Sequence, residues 1–259
     1  MADLASGITD LPEQLDLVHV TAVGYGKDIV ACERIETREC DLFGRRLVYA
    51  FLARPAYRFR DGATKSDQIS RFPMVFVISP GNLGTPFHAY PFDTGAACSG
   101  VFGDPSNRTR PLEDYDLGPN LDAARRHVSW AFGSNRNYYD GDLKPDLAGT
   151  LRPYQMAATG FLAVAGLAAT GHNQPDKRAS AIEIAYDKHV PLRGNVRLVV
   201  LPQQFIEDGE GRNIAFVRQL EALGLAWETY DWRPNEAPDF YLDEITRIVR
   251  DFLDQSGQL

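Results

Sequence analysis

Cysteine is scarce in this chain: 259 residues hold three, Cys32, Cys40 and Cys98, with no CxxC spacing among them. That odd count argues against a disulfide framework or a cysteine zinc site and points to a reducing compartment. Long apolar runs are missing too. The most apolar segment, Met156–Ala169, falls short of the ~20 residues that a membrane span needs. The opening stretch, MADLASGITDLPEQLDLVHV, carries acids early and no apolar core, so no secretory signal is expected. Basic charge is not in excess either. Lys and Arg number 27 against 35 Asp and Glu, which removes a strongly basic nucleic-acid footprint at the level of the whole chain. The five histidines, His19, His88, His127, His172 and His189, form no HxH or HxxxH pair, so no metal site is expected. No GxGxxG follows a strand. Gly24-Tyr25-Gly26-Lys27 resembles the tail of a phosphate loop, but Thr21 and Asp28 stand where that loop needs a Gly and a Ser or Thr. A soluble, cytoplasmic protein is the expectation.

What is present is ordinary globular composition, 44% hydrophobic and 24% charged, with enough chain to bury a core unaided. Strand patterns are read at Asp16–Thr21, Arg46–Ala53, Phe72–Ser79, Ser180–Tyr186, Val196–Leu201 and Leu225–Tyr230. Phe72–Ser79 is almost continuously apolar and should lie centrally. Helical spacing is read at Tyr25–Glu33, at Asn120–Phe132 with Asn120 as N-cap, and at Arg212–Leu223 closed by Gly224. Tyr154–Thr170 reads as a buried helix, apolar all round and ending at Gly171. Tyr241–Leu253 reads as a last helix, with Asp239 as its cap. No repeat and no Pro/Ser/Gly linker divides the chain. The expectation is a single α+β domain over 1–259 with a mostly antiparallel sheet. Residues 100–175 would form a mainly helical and loop insertion, and 205–259 a C-terminal helix-strand-helix.

Chemistry-bearing residues sit on three of those strands. His19 and Thr21 are two apart and share a strand face. Tyr49 lies in Leu47-Val48-Tyr49-Ala50-Phe51, with Tyr57 beyond the turn at Pro55. Glu183, in Ala181-Ile182-Glu183-Ile184-Ala185, is an acid within an otherwise core-like strand, open either to a solvated face or to a functional role. Cys98, among Ala and Gly, reads as packed core, with a thiol nucleophile paired to a distant histidine as the alternative. Asp93 in YPFDTGA has turn and capping chemistry, or alternatively roofs a pocket.

His19 in an H-x-T setting, then Tyr49 and Tyr57, then Glu183 resemble, in that order, the ADP-ribosyltransferase superfamily, in particular its His–Tyr–Glu branch. The phrases LVYAFLARPAYR, YPFDTGA and AIEIAYDKHVPL are similar to those of bacterial members. The resemblance spans roughly residues 15–60 and 175–205. It implies a split, mostly antiparallel sheet with inserted and flanking helices, and NAD as a substrate with no metal. The implied enzyme is an ADP-ribosyltransferase, a glycosyltransferase of toxin or antiviral defence type, with a protein or nucleic-acid acceptor and an antitoxin or regulatory partner, remote from membranes. Cleavage of the nicotinamide–ribose bond builds positive charge on the ribose, which the Glu183 carboxylate would stabilise. Tyr49 and Tyr57 would sandwich the nicotinamide. His19, through a ring N–H, and Thr21 would bind ribose hydroxyls. Arg178 would meet a phosphate or, alternatively, is an ordinary surface arginine, and Asp93 is a further cofactor-binding candidate. Ala181 stands where arginine-modifying members carry an acid or Gln, which argues against arginine as acceptor. NAD hydrolysis on the same fold, and a non-catalytic module binding NAD or ADP-ribose, are the alternatives. Arg34, Arg38, Arg45, Arg46, Arg54, Arg58 and Arg60 form a basic stripe in sequence, suited to a phosphate backbone, to the pyrophosphate or simply to solvent.

Overall fold

The computed structural model describes residues 1–103, 111–168 and 176–259. The alternation at Asp16–Thr21 becomes β1 (Leu17–Ala22), followed by α1 (Val23–Ala31), β2 (Arg34–Ile35), β3 (Arg38–Cys40) and β4 (Arg45–Leu52). Next come β5 (Pro73–Ile78), β6 (His88–Tyr90), α2 (Thr94–Cys98), α3 (Leu121–Ala131), α4 (Asn135–Asp140) and α5 (Met156–Ala165). The last elements are β7 (Glu183–Tyr186), β8 (Val190–Pro191), β9 (Val196–Pro202), α6 (Gln203–Ile206), α7 (Ile214–Leu223), β10 (Ala226–Tyr230) and α8 (Leu242–Gln255).

The fold is mixed α and β around one main sheet, in the order β10-β9-β5-β1-β4-β7-β6, with β3 also on β4. Every described pairing is antiparallel except β9 with β10, which α6 and α7 join as a crossover. β5 pairs on both sides, and all six of its residues are buried. That explains its unbroken apolar run. α1 lies close over β5: a Cβ at Gly26 would strike the Met74 side chain, so this glycine serves close packing.

Local chemistry sets the helix ends. Asn120 Oδ1 accepts the Ala123 N–H at 2.7 Å, capping α3 as expected. Asn213 caps α7, and Gly224 ends it with φ +70°. α8 buries Leu242, Ile245, Ile248, Val249 and Leu253 along one stripe.

Three local expectations are corrected. Asp239 does not cap α8; it lies in a short 3-10 turn, its carboxylate accepts Arg58 Nη1 at 2.9 Å, and Tyr241 holds the cap position. α5 is not buried all round. It turns Ala158, Phe161, Val164 and Ala165 inward and leaves Met156 53% exposed, a division that an uncharged sequence conceals. Ser180 belongs to a 3-10 turn, so the strand begins only at Glu183. The end expected at Gly171, and His172, lie outside the described residues. Among the described residues no helix is long and apolar enough to cross a membrane.

Candidate active site

β1 and β4 share only two ladder pairs, Leu17 with Leu52 and Val18 with Phe51, and then part. A cavity of about 460 Å³ lies between the separated strands, lined by both of them, by α1 and by the chain around Tyr57 and Phe59. That volume suits a small-molecule ligand. His19, Thr21, Tyr49 and Tyr57, which come from separate stretches of sequence, all line it.

The His19 ring is fixed by one bond: Nδ1–H donates to the Tyr49 carbonyl at 2.7 Å. Burial holds its pKa below the usual histidine value, Arg38 acts in the same direction, and the carbonyl bond opposes them. The neutral ring therefore carries its only N–H on Nδ1, leaving Nε2 as an acceptor. A ring N–H offered to a ligand does not fit this tautomer, whose remaining ring nitrogen accepts a hydrogen bond instead. The Tyr49 phenol shares a 2.9 Å hydrogen bond with Cys40 Sγ. Burial, reinforced by that bond and by the nearby Glu183 charge, raises its pKa and keeps it protonated. Tyr57 is 40% exposed and packs edge-on against Phe59. At the mouth, the Arg38 guanidinium stacks 4.3 Å over the Tyr25 ring.

Glu183 does not line the cavity; it is 3% exposed, in the adjacent wall. Register explains its placement. Glu183 pairs with Phe51 on one side and Tyr90 on the other, while Ala185 pairs with Tyr49 and His88. Tyr49, Phe51, Glu183, His88 and Tyr90 consequently share one sheet face. The solvated-face option for Glu183 is excluded. Its Oε1 accepts from His88 Nε2 at 3.1 Å and from Thr94 Oγ1 at 2.7 Å, and its Oε2 accepts the Thr94 N–H at 3.2 Å. Three donors hold this buried carboxylate in a fixed orientation.

Asp93 caps α2, its Oδ1 accepting the Ala96 N–H at 2.8 Å, so the capping alternative holds and it does not roof the cavity. Burial, together with the neighbouring Glu183 charge, pushes its pKa up to about 6. Arg178 is not available to a phosphate. Asp176 grips it bidentately, with Nε to Oδ1 at 3.0 Å and Nη2 to Oδ2 at 2.8 Å, and it lies outside the cavity lining. Cys98 is exposed rather than packed in the core. The arginine stripe divides: Arg34, Arg38 and Arg46 line the cavity, Arg45 approaches Asp187, Arg58 binds Asp239, and Arg54 is buried.

Two contributors were missed in the sequence. His88 and Thr94, which hold Glu183, lie in His88-Ala89-Tyr90 and Asp93-Thr94-Gly95, segments too short to carry a periodic signal. Among the described residues no group of three or more His, Cys, Asp or Glu could hold a metal.

No protein-family model matches the chain. No curated protein matches it either. Among solved structures it is similar to Thermus sp. 2.9 DarT in complex with NAD+, at 14% identity and a TM-score of 0.39, over 85% of this chain and 98% of that one.

Proposed function

We propose that the chain binds NAD in the cavity between β1 and β4, breaks the nicotinamide–ribose bond and passes ADP-ribose to an acceptor. The observation that supports this reading is the convergence of His19, Thr21, Tyr49 and Tyr57 on one cavity, with Glu183 on the same sheet face as Tyr49. Tyr49 and Tyr57 offer aromatic surface to the nicotinamide. His19 Nε2 and the Thr21 hydroxyl accept and donate to the ribose. Arg38 supplies positive charge for the pyrophosphate. Glu183 is the fixed negative charge against which the cationic ribose develops, and its three donors keep it oriented through the reaction. No covalent enzyme intermediate is required.

The same proposal carries a single ADP-ribosyltransferase domain, a protein or nucleic-acid acceptor, a cytoplasmic setting as toxin or antiviral effector, and a regulatory partner. Incubation of NAD labelled in its ADP-ribose with the protein and a cell lysate tests the reaction. Nicotinamide should be released and label should appear in macromolecules. Glu183→Gln should retain NAD binding and lose nicotinamide release. Full turnover by that variant, or no binding of NAD by the wild-type chain, would end the proposal. Label found only in free ADP-ribose would make water the acceptor.

A further inference from the structure

Arg54 is 4% exposed, and its charge has no carboxylate partner among the described residues. Its Nη1 donates to the Ser180 carbonyl at 3.0 Å and to Ser180 Oγ at 2.9 Å. Among the described residues those are its only side-chain hydrogen bonds, so Nε and Nη2 are unspent. Burial pulls its pKa below the usual arginine value, opposed by the neighbouring Tyr138 and Tyr139, and the uncharged Tyr138 ring lies 5.6 Å from the guanidinium. Buried charges in folded proteins are paired, and one that is not calls for an ion to explain it.

Arg54 lines a second, small cavity of about 90 Å³, together with Tyr139, Asp140, Lys177, Thr246 and Arg250. None of these six lines the larger cavity. Arg250 pairs with Asp140, and Lys177 pairs with Asp243 at 3.0 Å, so both outer cations are already balanced and Arg54 leaves one net positive charge. The backbone holds it there: Ala53 takes a left-handed φ of +55° where β4 ends, a strained conformation for a residue with a Cβ.

We infer that this cavity, between the end of β4, α4 and α8, binds one phosphate group on the unspent nitrogens of Arg54, with Lys177 and Arg250 at its rim. A guanidinium fork matches an oxyanion bidentately, and the volume admits one such group rather than a nucleotide.

Titration of inorganic phosphate into the full chain, followed by calorimetry and thermal unfolding, should show one saturable site. The rise in Tm should not be reproduced by chloride at equal ionic strength. Phenyl phosphate separates the two sources of the group: binding of both ligands means that phosphate is accepted on a larger molecule, and binding of inorganic phosphate alone means that the free ion is taken. Thr246→Glu sets a carboxylate of the chain's own beside Arg54; it should raise Tm without phosphate and abolish the phosphate response. Asp140→Asn releases Arg250 and should tighten phosphate roughly fivefold by removing a nearby negative charge. No saturable response in the wild-type chain, a response unchanged in Thr246→Glu, or unchanged or weaker affinity in Asp140→Asn overturns the inference. Binding is read without NAD, so that result leaves the reading of the larger cavity untouched.

Discussion

Replacing Asp93 by Asn removes a charge while keeping a cap. In the native protein the carboxyl is buried beside Glu183, and its pKa stands at about 6 rather than 3.8. A raised carboxyl pKa means that the folded chain holds its proton where the unfolded chain has released it. Stability from this group is therefore complete below pH 3.8, declines as pH rises, and is gone above pH 6. Two pKa units at 1.36 kcal/mol each give a penalty of about 3 kcal/mol at pH 8. Asn carries no such penalty, and its side-chain oxygen can still accept the Ala96 N–H, since Asn and Asp cap equally well. Urea unfolding of both proteins at pH 8 and pH 4.5 measures the difference. Asp93→Asn should be more stable at pH 8 by about 1 to 3 kcal/mol, with most of that gain absent at pH 4.5. A less stable variant at pH 8, or a gain independent of pH, would refute the account of a strained pair of acids.

Three further outcomes follow from the geometry. Tyr138 donates its hydroxyl proton to the Leu52 carbonyl at 2.8 Å and accepts the Ile182 N–H at 3.0 Å. Tyr138→Phe leaves two buried backbone groups unpaired and should cost about 2 to 3 kcal/mol in denaturant unfolding; a cost near zero would show that those groups find other partners. Tyr57→Ala should cost no more than about 1 kcal/mol of stability, because the ring is 40% exposed and outside the core, but raise the NAD KM roughly tenfold through lost stacking; an unchanged KM would remove Tyr57 from the site. His88→Ala withdraws one of three donors from Glu183. It should lower kcat roughly tenfold or more with little change in NAD affinity, and His88→Gln should restore part of the loss; a change confined to KM would contradict a positioning role.

The sheet was legible where pattern and environment agree. Pro73–Ile78 has no polar residue, and β5 is buried on both sides. Asn120 and Gly224 mark helix ends because capping and left-handed backbone are local properties of those residue types. His19, Thr21, Tyr49 and Tyr57 could be gathered from their order in the chain, and they do share a cavity. The phosphate option for Arg178 gives way because Asp176, only two residues away, pairs with its Nε and Nη2 and balances its charge. The environment of Glu183 was not legible at all. It depends on the β7–β6 register and on the first turn of α2 reaching the same carboxylate, contacts 95 and 89 residues apart in sequence. Neither three-residue β6 nor five-residue α2 is long enough to show a period of its own.

The parting of β1 from β4 has a mechanical corollary. Past the Val18–Phe51 rung the two arms have no ladder bonds to break, so spreading or closing them resembles turning pages about a spine. The His19 imidazole, tied to the Tyr49 carbonyl, is the clasp across that opening. Undoing it without a replacement leaves a desolvated ring N–H and a carbonyl unpaired, at a cost of about 1 to 3 kcal/mol. A guest that offers those two groups new partners would offset that cost as it enters.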